Sequence, residues 1–161
     1  MLNVLVYDDY VHNKGALMRR MQQWPQIADW KLVNATDISK GILDAISPDL
    51  LIMPGGADLY YCDKLNGDCN EKIRQYVALG GGYLGICAGA YYGCTFLNWK
   101  EGEPDEIAGA RELSFIDATA TGPIDDFPDL KEEHCWPKGW VVSITRPGEK
   151  PQYTHYWGGP Y

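Results

Sequence analysis

In the stretch GGYLGICAGAYYGC, residues 81–94, a single cysteine, Cys87, sits among glycines and alanines at the end of an apolar run. A strand over 82–86 followed at once by Ala88, Gly89 and Ala90 reads as a sharp strand-to-helix turn. Residues with little side chain let such a turn close, and the side chain at its tip then projects above the carboxyl ends of the strands. The N–H groups that open the following helix favour a thiolate and any anion beside it. The chemistry on offer is nucleophilic attack by sulfur. Free cysteine is also among the most buried residue types, so the same stretch can equally be a small thiol packed between helix and sheet.

A second turn carries the complementary part. MPGGADLYY, 53–61, places Pro-Gly-Gly directly after an apolar strand, and in an open parallel sheet both turns emerge at one edge. The backbone N–H groups of Gly56 and Ala88 are therefore candidate donors to an oxyanion. Asp58, just past the glycines, either binds a cationic or amine group of a ligand or serves only the turn. Tyr60, Tyr61, Tyr91 and Tyr92 flank the two turns, where phenols line a pocket mouth or pack as ordinary core. Asp8 and Asp9 follow the first strand. In a sheet ordered 2-1-3-4 a carboxyl there stands beside the thiol, unless it caps the next helix. His12 reads as a surface or capping residue, and His134 with Cys135 as part of a solvated, charged loop.

The elements that must position these groups follow from periodicity. NVLVY (3–7) is a continuous apolar run, the mark of a strand buried on both faces. KGALMRRMQQW (14–24) has helical spacing and is stopped by Pro25. WKLVNA (30–35) reads as a strand, DISKGILDAI (37–46) as a helix, DLLIM (49–53) as a strand, CNEKIRQYVALG (69–80) as an amphipathic helix and GYLGI (82–86) as a strand. Strands alternating with helices predict a doubly wound, mainly parallel α/β sheet. After residue 95 the chain turns to Gly, Pro and acidic residues with short β runs at 112–118, 140–145 and 152–157, which predict β-hairpin additions at the sheet's edge. A long loop spans 122–139. No repeat or low-complexity linker divides the chain, and 161 residues suit one domain over 1–161.

Hydrophobic residues make up 45% of the chain and charged ones 22%, which excludes a disordered or fibrous chain. Fourteen Lys and Arg against 22 Asp and Glu give a net charge of -8 with no basic run, so nucleic acid is not an expected partner. No apolar stretch approaches the roughly 20 residues that span a bilayer, so no membrane segment is expected. MLNVLVYDDY reads as a first strand and not as a signal peptide, which makes the cytoplasm the default compartment, although a chain trimmed of its signal would look the same. Five cysteines with no C-x-x-C pair argue against a disulfide framework and a zinc site; only Cys62 and Cys69 have a spacing that could close a loop under oxidising conditions. No cofactor and no metal are implied. The expected partner is a small-molecule ligand or substrate, with self-association into a homo-oligomer left open.

LIMPGGADLYYCDKLNG, GGGYLGICAGAYYG and GARELSF together resemble the N-terminal domain of eukaryotic biotin-protein ligases, a branch of the class I glutamine-amidotransferase-like superfamily, and HYWGGPY is similar to that family's aromatic-x-Gly-Gly segment. The resemblance covers about residues 1–120 and implies a flavodoxin-like α/β sheet. It implies Cys87 as the elbow thiol with Gly56 and Ala88 as oxyanion donors. The ligase's own catalytic module, with its Gly-Arg-rich loop, has no counterpart here, so biotin ligation by this chain alone is not expected. Class I amidotransferases carry a His-x-Glu pair after the last strand. Here His155 stands in that region, but the residue two further on is Trp157, and the ligase-like family tends to have an aromatic residue in place of His155. His155 is therefore either the base or a core aromatic partner. Two readings stand: a thiol hydrolase or amidotransferase-like enzyme acting on an amide or ester, and a ligand-binding or regulatory module of the same fold without turnover. A third, redox sensing through Cys87 and Cys94, requires two residues held two helical turns apart to meet.

Overall fold

A computed structural model describes residues 1–11, 14–123 and 140–156, with positions 140 and 154–156 described by their backbone alone. The chain divides into two compact units, Met1–Phe96 with Ala110–Thr119, and Leu97–Gly109 with Ala120–Tyr161.

In the first unit β1 (Leu2–Tyr7), β2 (Ile27–Val33), β3 (Leu50–Met53) and β4 (Gly82–Gly85) form a four-stranded parallel sheet in the order β2–β1–β3–β4. Successive residues of a strand face opposite sides, and the core divides accordingly. Leu5, Tyr7, Leu51 and Met53 pack on one face with Ile38 of α2 (Ala35–Ser39), Leu43 of α3 (Ile42–Ile46), Tyr61 and Leu65 of α4 (Asp58–Leu65), Ile73 of α5 (Asp68–Ala78) and Tyr92 of α6 (Ala88–Tyr92). Val4, Val6 and Ile52 pack on the other with Met21 of α1 (Lys14–Gln22). Both faces of β1 are thus covered, which is why NVLVY is apolar without alternation.

Register sets the edge where chemistry can occur. Val6 pairs with Ile52 and Ile52 with Leu84, so β1, β3 and β4 end level with one another. Asp8, Pro54 and Ile86 consequently leave the sheet side by side, at the edge where ligands bind in open α/β sheets.

Several elements differ from the sequence reading. The helix read over 37–46 is two helices, because Gly41 takes a left-handed φ of 86° between them. Strand β2 stops at Val33 because Asn34 turns to cap α2, its side chain accepting from Asp37 N while the Asp37 carboxylate accepts from Asn34 N. Helix α4 occupies 58–65, which reads in the sequence as a turn and its flank. The β run read at 112–118 lies later, as β7 (Ile116–Gly122), and joins β5 (Cys94–Trp99) and β6 (Ile107–Ala110) in a sheet of order β6–β5–β7. Additional β structure in the C-terminal half is thus present. In the second unit β8 (Trp140–Ile144) and β9 (Gln152–Tyr156) pair antiparallel, with Val141 opposite His155 and Ile144 opposite Gln152. The 122–139 loop reaches outside the described residues after 123, and His12, His134 and Cys135 lie outside them altogether. Among the described residues no helix is long and apolar enough to cross a membrane.

Candidate functional site

Cys87 is the residue between β4 and α6, and its backbone lies at φ 52°, ψ −115°. A non-glycine residue at positive φ is uncommon, and one outside the left-handed helical well costs of order 1–3 kcal/mol, a strain that surrounding structure must hold. Here the holding contacts are backbone to backbone. Ile86 N donates to Met53 O at 2.9 Å, and Gly89 N donates to Pro54 O at 3.1 Å, so the residues before and after the crest are tied to the end of β3. Ala90 N donates to Cys87 O at 2.8 Å and starts α6.

Two glycines make this closeness feasible. A Cβ on Gly89 would lie 2.0 Å from Met53 O, and one on Gly85 would lie 2.3 Å from Gly89 O. The helix therefore rests on the strand ends at a distance that only glycine permits. Cys87 itself is exposed, whereas the next residue, Ala88, is fully buried. As the first residue of a helix Ala88 has no intrahelical acceptor for its N–H.

The Pro-Gly-Gly turn lies against this crest. A Cβ on Gly55 would sit 3.2 Å from Cys87 Cβ and 3.6 Å from Sγ, which puts the bare Gly55 backbone beside the sulfur. Gly56 forms an isolated antiparallel bridge with Val11 in the β1–α1 loop, and a Cβ on it would lie 3.0 Å from Tyr10 O. Three segments thus meet at the sheet edge: Asp8–Val11, Pro54–Ala57 and Ile86–Gly89.

The titratable groups around the crest are heavily engaged. Asp8 pairs with Lys14 at 2.6 Å. Asp9 accepts from Ala35 N at 2.7 Å, so it caps α2, a helix further along the chain than the one it precedes. Asp58 is buried and paired with Arg111 Nε at 2.6 Å, both side chains only 4% exposed. Arg111 also donates through its NH1 nitrogen to Ala110 O at 3.1 Å. Its sequence neighbours gave no hint of this pairing, which joins residues 53 positions apart. Tyr61 is fully buried and donates to Pro54 O at 2.7 Å, bracing the Pro-Gly-Gly turn from beneath. Burial first, then the charges of Cys87 and Asp58, push the phenols of Tyr61 and Tyr91 far above their ordinary range, so both remain neutral. Tyr92 is fully buried; Asn70 Nδ2 donates to its hydroxyl at 2.8 Å and to Glu112 Oε2 at 2.9 Å, and Glu112 Oε2 accepts from Gly67 N at 2.7 Å. This polar network anchors the far end of the elbow helix.

Other expected groups fall elsewhere. Cys94 starts β5 and does not continue α6, so its relation to Cys87 is not that of two residues on one helix. Burial pushes the thiols of Cys62, Cys69 and Cys94 up. His155 is placed on β9 by its backbone pairing to Val141. Among the described residues no group of three His, Cys, Asp or Glu side chains is arranged to hold a metal ion.

Residues 2–131 match the family model of the biotin-protein ligase N-terminal domain. The chain is 36% identical over 128 residues to a biotin–protein ligase of Schizosaccharomyces pombe, a match covering 76% of this chain and 20% of that protein. It is 44% identical over 77 residues to an uncharacterized protein of Chlamydia muridarum, covering 48% of this chain and 30% of that one. The chain therefore spans about a fifth of the ligase and under a third of the chlamydial protein. A crystal structure of a GMP synthase component from Thermoplasma acidophilum superposes with a TM-score of 0.41 at 20% identity, covering 68% of this chain and 64% of the other. The family match runs over most of the chain and through both glycine turns, and it makes this chain a member of the biotin-protein ligase N-terminal domain family.

Proposed function

We propose that the chain is a cysteine-nucleophile, amidotransferase-like hydrolase acting on an amide or ester of a small molecule. The observation that supports it is the backbone of Cys87, a strained, exposed crest held by contacts to atoms that only glycine neighbours allow. Strain of this kind, kept in a well-packed setting, is characteristic of working residues.

In the proposed step the Cys87 sulfur attacks the carbonyl carbon and the C=O electron pair moves to oxygen. That oxyanion is received by the N–H groups of Ala88 and Gly56. Collapse expels the amine or alcohol, which takes up the proton lost from the thiol, and leaves a thioester that water hydrolyses. Substituting Asp8 and His155 in turn shows which group, if either, carries the proton. The test is hydrolysis of a panel of activated esters and amides by wild type, Cys87→Ala and Cys87→Ser: turnover in the wild type and its loss in both variants is the expected result, and equal rates in all three would refute it.

A second reading, a ligand-binding module of the same fold without turnover, is favoured by one observation. Asp8, Asp9 and Asp58, the carboxylates of this sheet edge, are each taken up by a cation or a helix start. It predicts that small amides raise Tm in wild type and in Cys87→Ala alike while no product forms.

A further inference from the structure

Beside the elbow stands a pair of surface tyrosines that the proposed chemistry leaves unused. Tyr10 and Tyr60 are 59% and 46% exposed, yet their rings are stacked, with centroids 5.0 Å apart and planes 24° from parallel. Tyr10 holds a backbone φ of 54°, a second non-glycine residue at positive φ on this sheet edge. Its neighbour Val11 bridges to Gly56, and the Tyr10 carbonyl lies 3.0 Å from where a Gly56 Cβ would be. On the other side of the same dipeptide, Gly55 abuts Cys87. Adjacent α-carbons are about 3.8 Å apart, so the Tyr10 backbone and the sulfur flank a span of only two residues.

From this we infer that the Tyr10–Tyr60 stack is the substrate-recognition platform of the Cys87 site, and that the group it receives is an uncharged planar aromatic or heteroaromatic ring carried by the amide or ester. The inference rests on the nucleophile reading for its placement and extends it to the class of substrate. Tyr60 and Lys64 lie one turn apart on one face of α4, and Tyr10 lies against both, with the Lys64 ammonium 5.7 Å from its ring centre. Its 59% exposure leaves ring surface open to a ligand. Because Lys64 already supplies a positive charge to that ring, a second cation would meet like charge, whereas a neutral ring gains offset stacking. The tyrosines are already ordered against each other, so a ligand binds without having to immobilise them.

The test compares two reactive probes of similar bulk, N-(2-naphthyl)chloroacetamide and N-cyclohexylchloroacetamide. Each alkylates a thiolate by forming a C–S bond as chloride leaves. Rates at Cys87 are read by peptide mass spectrometry, and those of each variant are normalised to its own rate with iodoacetamide. Wild type is expected to favour the naphthyl probe roughly three- to tenfold, and Tyr10→Leu and Tyr60→Leu to lose that preference. In parallel, binding of unreactive N-(2-naphthyl)acetamide to Cys87→Ala is followed by NMR, and it should weaken when Tyr10→Leu is added. Equal probe rates in wild type with Cys87 reactive to iodoacetamide would overturn the platform and leave the nucleophile standing. A Cys87 inert to every reagent, with naphthylacetamide binding that depends on Tyr10, would overturn the nucleophile and support the platform.

Discussion

Around Cys87 backbone meets backbone: Gly89 rests on Met53 O, Gly85 on Gly89 O and Gly55 on the cysteine, leaving no room for even one added methyl group on Gly85 or Gly89. The β8–β9 hairpin, which carries His155 on its backbone, is built differently. Val141, Ile144 and Tyr153 are 72%, 54% and 75% exposed, and a Cβ on Gly148 in its turn would meet nothing. The elbow is placed by interlocking main chain, and the described part of the hairpin by ladder hydrogen bonds between strands whose side chains face water. A reacting atom that must be positioned to a fraction of an ångström is set in the first kind of structure.

The comparison can be broken most decisively at Gly89. Gly89→Ala drives a methyl group into a backbone carbonyl that cannot move without disturbing β3, and it is expected to cost on the order of 4 kcal/mol in urea denaturation. A loss under about 1 kcal/mol would show the elbow to be soft. Next comes the buried ion pair. Asp58→Asn or Arg111→Met strands a desolvated partner and is expected to cost about 3 kcal/mol, while joint replacement by Asp58→Leu and Arg111→Met recovers much of it. A double-mutant cycle without such coupling would contradict the pairing.

Alkaline pH sharpens the contrast by chemistry instead of substitution. Tyr7, Tyr61 and Tyr92 are fully buried, and burial raises each phenol's folded value above that of the unfolded chain, near 10. Their contribution is fully present below that pH, and it is lost as pH rises from there towards the folded values. Each phenol then removes up to about 1.4 kcal/mol per pH unit. Tm should fall steeply between about pH 10 and 11, and replacing Tyr61 or Tyr92 with Phe should flatten the slope. The smallest effect is expected in the hairpin, where Val141→Thr shifts stability by less than about 0.5 kcal/mol.

The sheet was legible in the sequence because its signals are local. The apolar run of β1, the glycines around Cys87 and the Pro-Gly-Gly after β3 each describe their own conformation. The order β2–β1–β3–β4, which brings Asp8 to the edge shared by the two turns, agrees with that reading. Helix α4 was hidden because Pro-Gly-Gly dominates its surroundings, although Asp58, Tyr61 and Leu65 show buried spacing at helical intervals. Gly41 interrupts a pattern that otherwise reads as one helix. The partnerships of the site were not legible. Arg111 with Asp58, Glu112 with Asn70 and Tyr10 with Tyr60 join residues 42 or more positions apart, and only tertiary packing brings them together.

The most direct test of Cys87 as a nucleophile is to trap its acyl form. A pulse of activated acyl ester, quenched in acid and mapped by peptide mass spectrometry, should place one acyl group on the peptide containing Cys87, ahead of Cys62, Cys69 and Cys94, and the adduct should decay as product appears. An adduct spread over the cysteines in proportion to exposure, or a Cys87 adduct that never decays, would contradict a catalytic role for this sulfur.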